Sequence, residues 1–194
     1  MNKFLFSFVF AALIAVSMVT QANASFPTQS RIIGGKEATP KDYPFMGSLE
    51  ERGSHICAAT YIGNNLAMTA AHCVVGQTAS KLTVKFGGHN LSAESEWTTY
   101  QVDSLAPHTG YDWWTNDNDI AVLVLKSRVT NVTPVKLADK HIRKSLSGKN
   151  LRVIGWGMKA NGKLSYTLRQ VDVPYVRKSV CKDVMDNYGD ILES

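Results

Sequence analysis

The chain has 194 residues, 44% hydrophobic and 19% charged, an ordinary globular composition that allows one or two compact domains. Its formal net charge is +5, one fewer once Lys3 leaves with the leader described below, and its basic residues read as scattered along the chain. That pattern argues against nucleic-acid binding and makes the charge a matter of solubility.

Met1-Asn2-Lys3 is a short positive segment, Phe4 to Val19 is almost uninterrupted apolar sequence, and Ala22-Asn23-Ala24 supplies a small-x-small cleavage pattern. The run is shorter than the roughly 20 residues needed to cross a bilayer, so 1–24 is expected to be a signal peptide and the mature chain to be secreted, extracellular or periplasmic, with no membrane contact. Ser25 to Arg31 is polar, and Ile32-Ile33-Gly34-Gly35 follows abruptly, like a processing boundary. Short strand-like runs come next: Phe45 to Leu49, Ala58 to Ile62, Leu66 to Thr69, Leu82 to Phe86, Ile120 to Leu125, Leu151 to Ile154, and Gln170 to Val173. Turn residues such as Gly63-Asn64-Asn65 and Gly87-Gly88 separate them, and long helical periodicity is missing. The pattern predicts an all-β sandwich or barrel. A polar stretch from Leu137 to Gly148 is a candidate domain connection.

Export favours disulfides, and three cysteines leave one over. Cys57 and Cys73 are close enough in sequence to bridge a local hairpin; Cys181 then either pairs with another molecule or has lost its partner. The five histidines, His55, His72, His89, His108 and His141, show no short ligand spacing, so neither a metal site nor a cofactor is expected.

Four segments carry a more specific signal: Arg31-Ile32-Ile33-Gly34-Gly35; Cys57 to Ile62 followed by Leu66-Ala67-Met68-Thr69-Ala70-Ala71-His72-Cys73; Asn118-Asp119-Ile120-Ala121-Val122-Leu123; and Gly155-Trp156-Gly157. In this order they resemble the trypsin/chymotrypsin family of secreted serine proteases. The resemblance implies a chymotrypsin-like double antiparallel β-barrel, the first barrel complete over about 32–141 and the second, over about 151–194, incomplete. It implies an activation peptide at 25–31 and a protease domain from 32 onward. A serine hydroxyl is a poor nucleophile at neutral pH and needs a base of imidazole's strength. His72 would be that base and Asp119 the acid that orients it, which is the family's division of roles. Cys57–Cys73 would pin the turn presenting His72. Cleavage after Arg31, by an activating protease or the enzyme itself, would free the α-ammonium of Ile32 to pair with an aspartate beside the nucleophile. His55 and Ser48 match positions that in some members hold that aspartate before activation; simple strand polarity is the other reading. Partners implied are protein or peptide substrates, for a monomer if completed.

The sequence departs from the family at its end. After Cys181 it runs Asp186-Asn187-Tyr188-Gly189-Asp190-Ile191-Leu192-Glu193-Ser194, without the Gly-Asp-Ser-Gly-Gly serine loop, and Ser194 lacks flanking glycines. The chain alone is therefore expected to be inactive, with a non-catalytic secreted binding protein derived from a protease as the alternative. Gly88 stands where calcium-binding members have a carboxylate, with Glu94 and Glu96 nearby, so no calcium is expected. Asn90-Leu91-Ser92 and Asn131-Val132-Thr133 fit the glycosylation pattern.

Overall fold

The computed structural model describes residues 35–139, 141–159, 162–177 and 180. Arg31, Ile32, Cys181 and Ser194, with the expected leader and activation junction, lie outside the described residues.

The strands are β1 (Lys36–Glu37), β2 (Met46–Glu51), β3 (Ser54–Gly63), β4 (Leu66–Thr69), β5 (Leu82–Phe86), β6 (Thr98–Pro107), β7 (Ala121–Leu125), β8 (Asn150–Gly155) and β9 (Arg169–Pro174). Strands β2 to β7 close into an antiparallel barrel in the order β2-β3-β4-β7-β6-β5, with β5 returning to β2. Strands β8 and β9 join β1 in a second antiparallel sheet, ordered β1-β9-β8. A single helical turn, α1 (Ile142–Ser145), lies between the barrel and this sheet in the sequence.

Period-two alternation builds the barrel core, because every second side chain of a strand faces the same side. Leu82, Val84 and Phe86 of β5 and Ala121, Leu123 and Leu125 of β7 all point inward and are buried. The Phe86 ring fills the centre, 5.7 Å from Tyr61 and 6.0 Å from Tyr100 between centroids. Its position requires Gly47 opposite: a Cβ there would lie 2.5 Å from the Phe86 ring and 2.9 Å from the Lys85 carbonyl. Strand β2 is buried on both faces, with Leu49 in the barrel core and Met46 in a smaller apolar cluster with Ala38, Trp156 and Leu168 that fastens the second sheet to the barrel.

Leu66–Thr69 and Leu82–Phe86 have the bounds the sequence predicts; four further predicted runs are strands with shifts of one or two residues at their ends, and the fifth, Ala58 to Ile62, is the second half of a strand that begins at Ser54. Two strands were not anticipated. β6 hides its pattern because a bulge between Val102 and Ser104 switches the phase: Tyr100 and Val102 face the core before it, Leu105 after it. β1 is two residues long and carries no pattern. It pairs Lys36 with Gln170 and Glu37 with Arg169, so these residues belong to the second sheet, whereas the sequence division assigns everything from 32 to 141 to the first barrel.

Candidate active site

β4 and β7 run antiparallel with Thr69 opposite Ala121. The chain after Thr69 and the chain before Ala121 therefore leave the barrel at the same end. His72 lies there in a 3₁₀ turn, Ala71–Cys73, and Asp119 precedes β7. Asn118, at φ 55°, makes the sharp left-handed step that presents Asp119, a conformation asparagine tolerates better than most residues.

Although 47 residues apart, the two side chains meet. Asp119 Oδ1 accepts the backbone N–H of His72 at 2.8 Å, and Oδ2 pairs with His72 Nδ1 at 2.7 Å. An ionised carboxylate can only accept, so in the neutral imidazole Nδ1 carries the hydrogen and Nε2 keeps the lone pair. Nε2 lies 3.4 Å from Cys73 Sγ. The His72 side chain is 48% exposed and that of Asp119 23%. Cys73 is bonded to Cys57 of β3, a disulfide that spans 16 residues and ties the His72 turn to the barrel wall. The loop-closure model values such a link at about 3 kcal/mol.

His72 borders a mostly apolar cleft of about 400 Å³ between barrel and second sheet. Its barrel wall includes His55, Ile56 and Cys57; the opposite wall includes Val153 of β8 and, from the connection that follows it, Trp156 and Leu164. His55 Nδ1 is 2.8 Å from the fully buried Ser48 hydroxyl, and the ring meets Trp156 edge-on at 5.9 Å. Burial lowers the His55 pKa from its ordinary value because the cation loses hydration.

The loop between β5 and β6 packs around a tryptophan. A Cβ on Gly88 would lie 2.2 Å from the ring of Trp97, so this position has no room for a side chain. Glu94 and Glu96 face different groups. Glu94 bonds Lys85 Nζ at 2.7 Å, and Lys85 also pairs with the buried Glu50 at 3.1 Å. Burial works to lower the Lys85 pKa, but its bonds to Glu94 and Glu50 outweigh that and hold it above its usual value. Glu96 accepts the backbone N–H groups of His89 and Asn90, which lower its pKa. Glu94 and Glu96 thus have separate protein partners, Lys85 for the first and the His89–Asn90 backbone for the second. Cys57, His72 and Cys73 approach one another, but both sulfurs are committed to the disulfide.

Several contacts here were not legible beforehand. His89 Nε2 pairs with Glu37 at 2.9 Å, and this bond chiefly lowers the Glu37 pKa. The guanidinium of Arg169 donates to the carbonyl of Gly35, so the segment following the expected activation junction is clamped to the second sheet. At the two glycosylation-type sequences, Asn131 Oδ1 accepts the Tyr100 hydroxyl, while Asn90 Oδ1 accepts the N–H of Ser92. No helix among the described residues is long and apolar enough to cross a membrane.

A closed six-stranded barrel joined to a second antiparallel sheet, with a bonded histidine and aspartate beside the cleft between them, defines an all-β chymotrypsin-like protein, its second barrel incomplete among the described residues. The family model described as Trypsin matches residues 32–193, and the chain belongs to that family. It is similar to the mouse (Mus musculus) transmembrane protease serine 11G, 35% identical over 174 residues that make up 87% of this chain and 40% of the relative. It is also similar to trypsin Blo t 3 of Blomia tropicalis, 33% identical over 86% of this chain and 62% of the relative. Among solved structures, the secreted serine protease VesC from Vibrio cholerae superposes with a TM-score of 0.72 at 28% identity, over 80% of this chain and 35% of that one. The chain thus spans 40% and 62% of the lengths of these two curated relatives. The family is one of trypsin-type serine proteases.

Proposed function

We propose that this chain carries the general base and orienting acid of a secreted serine endopeptidase acting on proteins or peptides. The observation that supports it is the Nδ1–Oδ2 bond of 2.7 Å between His72 and Asp119 at the border of the cleft. His72 Nε2 takes the proton of an attacking serine hydroxyl and later protonates the departing amine. Asp119 holds the tautomer that leaves Nε2 basic and stabilises the imidazolium once it forms. The disulfide keeps the histidine on the barrel wall while charge moves.

Residues 1–194 contain no serine in a Gly-Asp-Ser-Gly-Gly setting, so in this reading the hydroxyl comes from outside them and a polypeptide of these residues alone does not hydrolyse peptides. The organisation that accompanies the reading is a leader at 1–24, an activation peptide at 25–31 cut after Arg31 to free Ile32, and a protease domain from 32 onward.

Two measurements test this. Long-range ¹H–¹⁵N NMR of the imidazole should show His72 as the Nδ1–H tautomer, with that preference lost in Asp119→Ala; an Nε2–H tautomer in the unmutated chain would remove the base. A serine-directed fluorophosphonate should leave the 194-residue polypeptide unlabelled, and stoichiometric labelling would overturn its inactivity.

A further inference from the structure

The imidazole that borders the cleft also faces sulfur. Among the described residues one group of metal-ligating side chains draws together, Cys57, His72 and Cys73, whose ligand atoms all lie within 4.8 Å of one another. His72 Nε2 stands 3.4 Å from Cys73 Sγ. In the Nδ1–H tautomer that Asp119 holds, Nε2 is an acceptor, and a disulfide sulfur has no hydrogen to give. No hydrogen bond joins the two atoms, and the Nε2 lone pair stays uncommitted.

A tetrahedral zinc ion, with Zn–S of about 2.3 Å and Zn–N of about 2.0 Å, sets nitrogen about 3.5 Å from sulfur and two sulfurs about 3.8 Å apart. His72 already has that separation from Cys73; only the S–S bond holds the sulfurs closer than zinc needs. The Cα atoms of Cys57 and Cys73 are 6.3 Å apart, which lets the sulfurs part by turning about their Cα–Cβ bonds. Asp119 adds support, because a carboxylate on the far ring nitrogen of a ligating histidine fixes the ring and raises its basicity. All three ligand residues line the cleft of about 400 Å³, which leaves the fourth position of the ion to water.

We propose that the reduced form of this chain binds zinc through the thiolates of Cys57 and Cys73 and Nε2 of His72, so that disulfide and zinc are alternatives at one site. A thiol or phosphine reductant gives two electrons to the S–S bond, which breaks to two thiols, and each thiol loses its proton as its sulfur takes the metal. In reverse, a small-molecule disulfide takes two electrons from the thiolates and departs as two thiols, while the Cys57–Cys73 bond re-forms and zinc leaves. The ion occupies the lone pair that would accept a serine's proton, so the zinc-bound chain has no free base. That consequence rests on the protease reading above; the metal site needs only its three ligands.

The test uses the 194-residue chain carrying Cys181→Ser, so that only Cys57 and Cys73 can supply thiols. After reduction with a trialkylphosphine, Co²⁺ should give the strong visible bands of tetrahedral cobalt with thiolate charge transfer in the near ultraviolet, and one equivalent of Zn²⁺ should abolish them. The oxidised chain should show neither. His72→Ala should weaken zinc binding about 100-fold and Asp119→Ala about tenfold. Zinc should raise the melting midpoint of the reduced chain and leave that of the oxidised chain unchanged. An octahedral cobalt spectrum, equal affinity in His72→Ala, or a reduced chain that stays unfolded with zinc present overturns the proposal. No hydrolysis is read, so failure here leaves the proposed function standing; an Nε2–H tautomer in the oxidised chain, with zinc binding intact in the reduced one, removes the base alone.

Discussion

The barrel and the second sheet are made from the same kind of strand but reach different states. In the barrel every strand has two partners, and Leu49, Leu82, Val84, Phe86, Val102 and Leu123 are completely shielded from solvent. In the second sheet β8 has one strand partner among the described residues, and its Leu151 and Val153 are exposed at 37% and 43%. Closure satisfies the backbone and the apolar faces together, whereas a three-stranded sheet leaves an edge and a face for something else to cover. His72 and Asp119 both hang from the closed unit, so their geometry draws on the stable half. The cleft draws one wall from each half and inherits the openness of the second sheet.

Core truncation should separate the halves most strongly. Leu123→Ala should cost about 3–5 kcal/mol by urea denaturation, because a cavity opens where nothing can collapse, while Val153→Ala should cost under about 1 kcal/mol. Equal losses would mean that the second sheet is as well packed as the barrel. Replacing Cys57 and Cys73 together by alanine should remove about 3 kcal/mol and leave the barrel folded but His72 poorly held, seen as broadening of its ring resonances. Sharp resonances would assign its position to the Asp119 bonds alone. Gly88→Ala should cost about 1–3 kcal/mol and perturb Trp97 fluorescence, since its Cβ overlaps that ring; a silent substitution would mean the loop yields freely.

The smallest effect concerns pH. His55 has a folded-state pKa below the ordinary 6.5, so the folded chain binds fewer protons there than the unfolded chain. Its contribution is complete above about 6.5 and is lost as pH falls through the depressed folded value. The midpoint of thermal unfolding should decline as pH falls from about 6.5 through that window, and His55→Gln should flatten the decline. An unchanged slope would place the titrating group elsewhere.

Legibility followed locality. Leu66–Thr69 and Leu82–Phe86 could be read because each pattern is uninterrupted and bounded by turn residues. β6 could not, because its bulge reverses the alternation halfway, although Tyr100, Val102 and Leu105 were available as a hint. His72 and Asp119 were found through resemblance to a family; their positions 47 residues apart contain no sign of contact.

The sequence by itself determined the strand class, most of the strand runs and the cysteine pair, and through resemblance it singled out His72 and Asp119. Each is a matter of residue type or short-range period, which a linear chain carries in full. Tertiary structure alone decided that β1 crosses to the second sheet, that Lys85 balances Glu50 and Glu94, that Trp97 rests on Gly88, and that Asp119 takes both hydrogen bonds from His72. Those outcomes depend on which distant segments share a wall of the barrel, and that is set by closing all six strands at once.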